Sequence, residues 1–143
     1  MEFGKKRIAV DSDRKSCVTV NWRVLMDFKS VLRETVSNVD GAVGAGLVGL
    51  DGIVVDQVSN RADFDMTVAG AEYATIVKSA RKASEEFGIG TTNEVMISTE
   101  KTTMLMMTAW KDYFIALAMN LDGNLGRGRL ELKKAIAKVE KEL

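Results

Sequence analysis

Two kinds of apolar pattern alternate along this chain, and their order predicts its elements. Leu25, Phe28, Leu32, Val36 and Val39 recur at intervals of three and four, marking one face of a helix from about Asn21 to Val39. Val24 and Val31 widen that stripe, Asn21 is the expected N-cap, and Asp40-Gly41 ends the helix, glycine taking a left-handed conformation at low cost. Two apolar runs then flank Asp51-Gly52. A two-residue Asp-Gly loop is a strong hairpin signal, and a type I′ turn is expected between strands over 42–50 and 53–60. Val43, Ala45 and Leu47 alternate with smaller residues while Val48 and Leu50 point the other way, so both faces of the first strand should be covered. The glycines at 44, 46 and 49 leave room for close approach of backbone or helix.

A second helix is predicted from about Asp65 to Phe87, ended by Gly88. Met66, Ala69, Tyr73, Ile76, Ala80, Ala83 and Phe87 step alternately by three and four, a heptad-like seam. Gly70, Ala74, Val77, Arg81 and Ser84 form a second row beside it. The combined surface is wider than one sheet contact requires, so it is read as sheet packing plus a face for self-association; packing inside one subunit alone is the alternative. Three strands are expected over 94–99, 102–110 and 112–120, followed by a loop from Leu121 to Arg127 and a last helix to Leu143. Leu132, Ile136, Val139 and Leu143 are that helix's apolar stripe. Glu131, Lys133, Lys134, Lys138, Glu140, Lys141 and Glu142 are expected to be solvated. Lys111 and Asp112 interrupt the apolar run from Met104 to Met119, which reads as a buried hairpin rather than a membrane span. Its methionines are core or interface filler, and Trp22 and Trp110 are core margins.

The fold class is therefore α/β of the α+β kind: helix, hairpin, helix, three-stranded meander, helix, with five strands in one mostly antiparallel sheet between helices. Residues 1–20 lack periodicity and are expected to be an extension, poorly ordered or adding one strand at most, ahead of a domain over 21–143. Lys5, Lys6, Arg7, Arg14 and Lys15 would make that extension a basic arm for an acidic partner in the alternative reading.

Composition narrows the chemistry. With 143 residues, 46% of them apolar, the chain can bury a core without staples. Lys+Arg and Asp+Glu are equal at 20 each, which gives no global field for nucleic acid or anionic lipid. There is no histidine and only one cysteine, Cys17, which excludes Ser-His-Asp and Cys-His nucleophiles, histidine- or thiolate-bound metal, and dithiol redox motifs. No disulfide is possible within the chain and no secretory apolar segment follows Met1, so a reducing cytoplasm is the expected location. No catalytic, metal or cofactor residues are assigned.

Two glycine clusters fail as phosphate loops. Gly41-Ala42-Val43-Gly44-Ala45-Gly46 follows a helix and enters a strand, the reverse of the required order. Gly123-Asn124-Leu125-Gly126-Arg127-Gly128 sits between strand and helix but lacks the lysine and hydroxyl; it reads as a structural turn. Arg127 or Arg129 reaching a partner's nucleotide is the alternative. Asp51, Asp56, Asp63 and Asp65 read as turn formers and helix N-terminal charge.

The ordered set of these pieces resembles the roadblock / dynein light chain family, which includes bacterial and archaeal regulators of Ras-like GTPases. Its carriers are Gly41-Ala42-Val43-Gly44 leading into Gly49-Leu50-Asp51-Gly52, the long helix after Asp65, and Asn124-Leu125-Gly126 before Arg129-Leu130-Glu131-Leu132. The resemblance spans about Trp22 to Leu143; the glycine-rich first strand and the N-terminal extension depart from it. It implies an α-β-β-α-β-β-β-α, profilin-like fold and a dimer in which second helices pack together and the third strands extend one sheet across a two-fold axis. Carried onto this chain, the dimer face would use Ala69, Tyr73, Ile76, Ala80, Val95 and Ile97. It further implies a non-catalytic regulator of a Ras-like small GTPase, acting on hydrolysis or localisation, with no cofactor, small-molecule substrate, nucleic acid or membrane span; a scaffold that leaves turnover unchanged is the alternative.

Overall fold

In a computed structural model, backbone is described for residues 5–9 and 18–142 and side chains for 28–141. Strands β1 (Lys5–Ala9) and β2 (Val18–Asn21) pair antiparallel as a separate ribbon, where the sequence suggested one strand at most. Helix α1 (Trp22–Asn38) follows directly. Strands β3 (Ala42–Gly49) and β4 (Val54–Ser59) form the hairpin, and a 3-10 turn (Met66–Val68) leads into α2 (Gly70–Phe87). Strands β5 (Glu94–Ser98), β6 (Thr102–Ala109) and β7 (Tyr113–Asn120) precede α3 (Leu125–Glu142). The main sheet runs β4-β3-β7-β6-β5, antiparallel at every step, so the fold class expected from the pattern is the one observed. The side chains of Lys5, Lys6, Arg7, Asn21, Trp22 and Leu25, and the whole of Arg14, Lys15 and Leu143, lie outside the described residues.

The sheet is covered on both faces because its central strands are apolar on both faces. Every described residue of β3 after Ala42 is buried, as is β7 from Phe114 to Met119. Ala45, Leu47, Leu105, Ile115 and Leu117 face α1 and α3, meeting Leu32, Val36, Leu132 and Val139. Val43, Val48, Met104, Met106 and Phe114 face the other way, toward Ala74 and Val77 of α2. Leu47 and Val48 reach opposite cores by ordinary strand alternation, whereas a register shift between Ala42 and Gly44 turns Val43 into the α2-side core, away from the Ala45 and Leu47 face on which the sequence pattern had placed it. The glycines of β3 are space for other side chains: a Cβ at Gly44 would meet the Phe64 ring at 2.7 Å, and one at Gly46 would meet Met66 at 3.0 Å.

Three local expectations need correction. The β3–β4 loop is not a two-residue type I′ turn. Among described non-glycine residues only Trp110 has positive φ, so Asp51 lies at negative φ. Gly52 N–H donates to Gly49 C=O (2.9 Å), Gly49 N–H donates to Ile53 C=O (2.9 Å), and Gly52 sits at φ +91°. These features describe a three-residue loop, Leu50-Asp51-Gly52, with the glycine taking the left-handed position. The Asp51 carboxylate holds it by accepting from Ile53 N–H at 3.0 Å. Next, β6 stops at Ala109 rather than Trp110, whose φ of +53° breaks the strand while its ring packs edge-on to Phe28 and Tyr113. Finally, α3 starts at Leu125, so Gly126, Arg127 and Gly128 are helical; Asn124 caps it by accepting from Arg127 N–H at 3.0 Å. Gly128 is buried, where a Cβ would lie 3.1 Å from Met119 and 3.2 Å from Leu117.

Glu131 is a further correction. Expected in water, it is 3% exposed between α3 and α1. Asn38 Nδ2 donates to one carboxylate oxygen (3.2 Å), while Lys134 Nζ (3.3 Å) and an Arg127 guanidinium nitrogen (2.9 Å) approach the other. Burial pushes its pKa up, but the Asn38 and Lys134 hydrogen bonds and both cations outweigh that, and the net direction is below the ordinary value. A depressed native pKa contributes stability present above the unfolded carboxyl value and lost as pH falls through the native one. Glu131→Gln should therefore lower the urea midpoint at about pH 7, and the gap from wild type should be smaller at about pH 3. An equal gap at both values would show that the carboxylate charge is not what Glu131 contributes.

Gly41 offers a second test. It sits at φ +86°, and a Cβ there would lie 2.6 Å from Gly123 Cα, a backbone atom. Gly41→Ala should cost on the order of 2–3 kcal/mol in denaturant unfolding. An unchanged midpoint would mean that the two loops are not in contact.

Candidate functional site

Helix α2 covers its side of the sheet with small residues. Gly70, Ala74 and Val77 are its buried positions, so the row beside the seam faces the core rather than the seam itself. The close fit begins at Gly70, where a Cβ would lie 3.0 Å from Gly52 C=O and 3.3 Å from Val54. The expected continuous helix from Asp65 is interrupted because Ala69 adopts φ −126°, outside helical values. That break turns Met66 into the core and leaves Val68 79% exposed. At the far end Gly88 takes φ +69°, and its N–H and that of Ile89 satisfy Glu85 and Ser84 carbonyls.

The loop feeding α2 is held by polar contacts. The Asp65 carboxylate accepts from Thr67 N–H (3.0 Å), the Thr67 hydroxyl (2.6 Å) and Gln57 Nε2 (2.8 Å), and Gln57 Oε1 accepts from Met66 N–H (2.8 Å). These bonds, the Thr67 hydroxyl first, hold the Asp65 pKa below its usual value. Arg61 grips Asp63 through two nitrogens at 3.0 and 3.1 Å, and that hydrogen bond likewise lowers the Asp63 pKa. Both aspartates thus act as turn and cap formers, in line with their sequence reading.

The seam is left half-covered. Ala69, Tyr73 and Ala80 are half-buried, Ile76 is exposed, and Phe87 is 81% exposed. Tyr73 packs against the same core cluster as Val95 and Ile97, which lie half-buried on β5, the edge strand of the sheet. Ala69 and Tyr73 also line a groove of about 300 Å³ with Phe64, Met66, Val68 and Met104. The six residues singled out from sequence are therefore spread along α2, the break just before it and the strand edge on that helix's side of the sheet. Phe64 and Val68 were missed: neither falls on the helical period, and only the glycine gap at Gly44 hinted that a ring must fill it.

The arginines are engaged within the chain. Arg127 pairs with Glu131, and Arg129 Nε lies 3.0 Å from both Glu94 carboxylate oxygens. Among the described residues no group of three or more acidic, cysteine or histidine side chains is arranged to hold a metal. Among the described residues no helix is long and apolar enough to cross a membrane.

A small, doubly covered antiparallel sheet with a half-covered helix beside its free edge defines an interaction domain rather than a pocket-centred one. The chain belongs to the Roadblock/LC7 domain family, whose domain matches residues 29–119. It is similar to MglC of Myxococcus xanthus, at 38% identity and a TM-score of 0.60, covering 82% of this chain and 100% of that one. It is also similar in fold to MglB of Myxococcus xanthus, at 17% identity and a TM-score of 0.75, covering 82% of this chain and 87% of that one. A structure of MglB with tetrameric arrangement aligns at 18% identity and a TM-score of 0.75, covering 83% of this chain and 91% of that one.

If the seam is a contact, Tyr73→Asp with Ala80→Glu places two charges in a desolvated interface, at a cost of several kcal/mol. The double variant should elute as a single chain in size-exclusion light scattering while keeping its circular dichroism. Wild-type elution would remove α2 from any contact.

Proposed function

We propose that this chain is a non-catalytic, cytoplasmic, dimeric regulator that binds a Ras-like small GTPase and modulates its GTP hydrolysis or localisation. The observation carrying this reading is the half-covered face of Ala69, Tyr73, Ile76, Ala80, Val95 and Ile97 in a chain of the Roadblock/LC7 family. Apolar surface left in water at a helix seam is stabilising when buried, by roughly 25 cal/mol per Å². The neighbouring edge strand β5 offers unpaired backbone that a second copy can pair with. A two-fold contact of this kind is self-complementary, which suits a dimer and limits further growth from the same face.

Any effect on hydrolysis would come from ordering the GTPase's own catalytic residues. Arg127 and Arg129 are committed to Glu131 and Glu94, so insertion of either would first break a charged pair within this chain. Their engagement also favours a second reading, a dimeric scaffold in a larger complex with no effect on nucleotide turnover.

The test is to load a Ras-like GTPase from the same cell with GTP and add the purified protein. Binding that favours the GTP form, with altered turnover or altered cellular position, is the expected result. Binding with neither change selects the scaffold, and absence of binding ends the GTPase reading.

A further inference from the structure

Helix α2 outruns the sheet it covers. Its first residue, Gly70, rests on Gly52 in the β3–β4 loop, and about three turns on Arg81 Nη1 donates to Lys111 C=O in the β6–β7 loop at 2.8 Å. Both loops lie at one end of the sheet, where Leu50 N–H donates to Asp112 C=O at 2.8 Å. The helix therefore crosses the strands along that end, from the β4 side toward β5. Near its close the Ser84 and Thr92 hydroxyls meet at 2.9 Å, just ahead of β5. Because β5 is the last strand, the turn beyond Ser84 overhangs the sheet edge. Phe87 and Ile89 stand there 81% and 75% exposed and belong to neither core.

At the opposite end of the same sheet face lies the groove of about 300 Å³. Val43, Met104 and Ala118 are its floor on the sheet, and Phe64, Val68 and Tyr73 line it from the segment leading into α2 and from α2 itself. Asp63 and Asp65 on its rim are already held, the first by Arg61 and the second by Thr67 and Gln57. The surface it leaves free is apolar, with Val68 79% exposed. We propose that Phe87 of each copy in a dimer fills this groove in the other copy, packing against Val68, Tyr73 and Met104.

Symmetry selects the occupant. Antiparallel pairing of β5 with a second β5 places a two-fold axis normal to the sheet beside that strand. Such an axis keeps both α2 helices on one face and exchanges the two ends of the sheet. The overhanging end of one α2 is thereby carried onto the groove end of the other copy. No chain can fill its own groove with Phe87, because Val68 and Phe87 sit at opposite ends of an 18-residue helix, roughly 25 Å apart. The inference rests on the dimer reading above and names what holds it: two aromatic rings, each seated in a preformed recess, where interface energy concentrates.

Sedimentation equilibrium on full-length variants reads the anchor. Phe87→Ala should raise the dimer dissociation constant about a hundredfold, roughly tenfold for each of the two rings, with an unchanged circular dichroism spectrum. Val68→Ala should raise it about fivefold. Added to Phe87→Ala, it should cost nothing further, since the ring it would have touched is gone. Non-additivity between two positions so far apart in one chain arises only between copies. Phe87→Ala dimerising like wild type, or losses that multiply in the double variant, would overturn the anchor while leaving the dimer standing. A wild-type chain that stays a single copy at every concentration would overturn both.

Discussion

One helix cannot roof five strands. A helix with its side chains is about 10–12 Å across, whereas strands lie about 4.8 Å apart, so a five-stranded sheet is roughly twice as wide. On one face the chain supplies two helices, α1 and α3, which close over Leu47, Leu105, Ile115 and Leu117. On the other it supplies α2 alone. That helix settles on β3 and the middle strands through Gly70, Ala74 and Val77, and the edge residues Val95 and Ile97 stay half-buried beside it. The unmet coverage on this face is the physical basis of the proposed contact surface.

Small residues make the arrangement work. Because α2 presents glycine and alanine to the sheet, it lies close, and its larger apolar residues are displaced to the flank as Tyr73 and Ile76. Because β3 carries Gly44 and Gly46, Phe64 and Met66 can lie directly on it and fix the approach to α2. A bulkier β3 would lift that segment from the sheet and expose more of the core. The glycine-rich first strand, a departure from the family resemblance at sequence level, is thus a packing device in this chain.

Much of this was legible from periodicity. Helix stripes such as Leu32-Val36-Val39 and the two-sided strands over 42–50 and 112–120 follow from which positions are apolar, and covered sheets make such patterns unambiguous. Spacing could not tell which of two adjacent rows on α2 meets the sheet, since a wide apolar surface satisfies both; the break at Ala69 decides it. Nor could local signals anticipate Glu131, because its partners Asn38 and Arg127 come from a distant helix and from a turn that proved helical. The Asp-Gly loop was right as a hairpin and wrong in type, since the hydrogen bonds of Gly49 decide loop length and the dipeptide does not. The family resemblance is borne out.

The mass of the wild-type particle in solution tests this account most directly. Sedimentation equilibrium at micromolar concentration should return twice the chain mass of 15.7 kDa, because in the proposed dimer a second copy covers the flank of α2 and pairs with the β5 edge. A particle of one chain mass across the accessible range would contradict it, and would mean that the half-covered helix is stable in water as it stands.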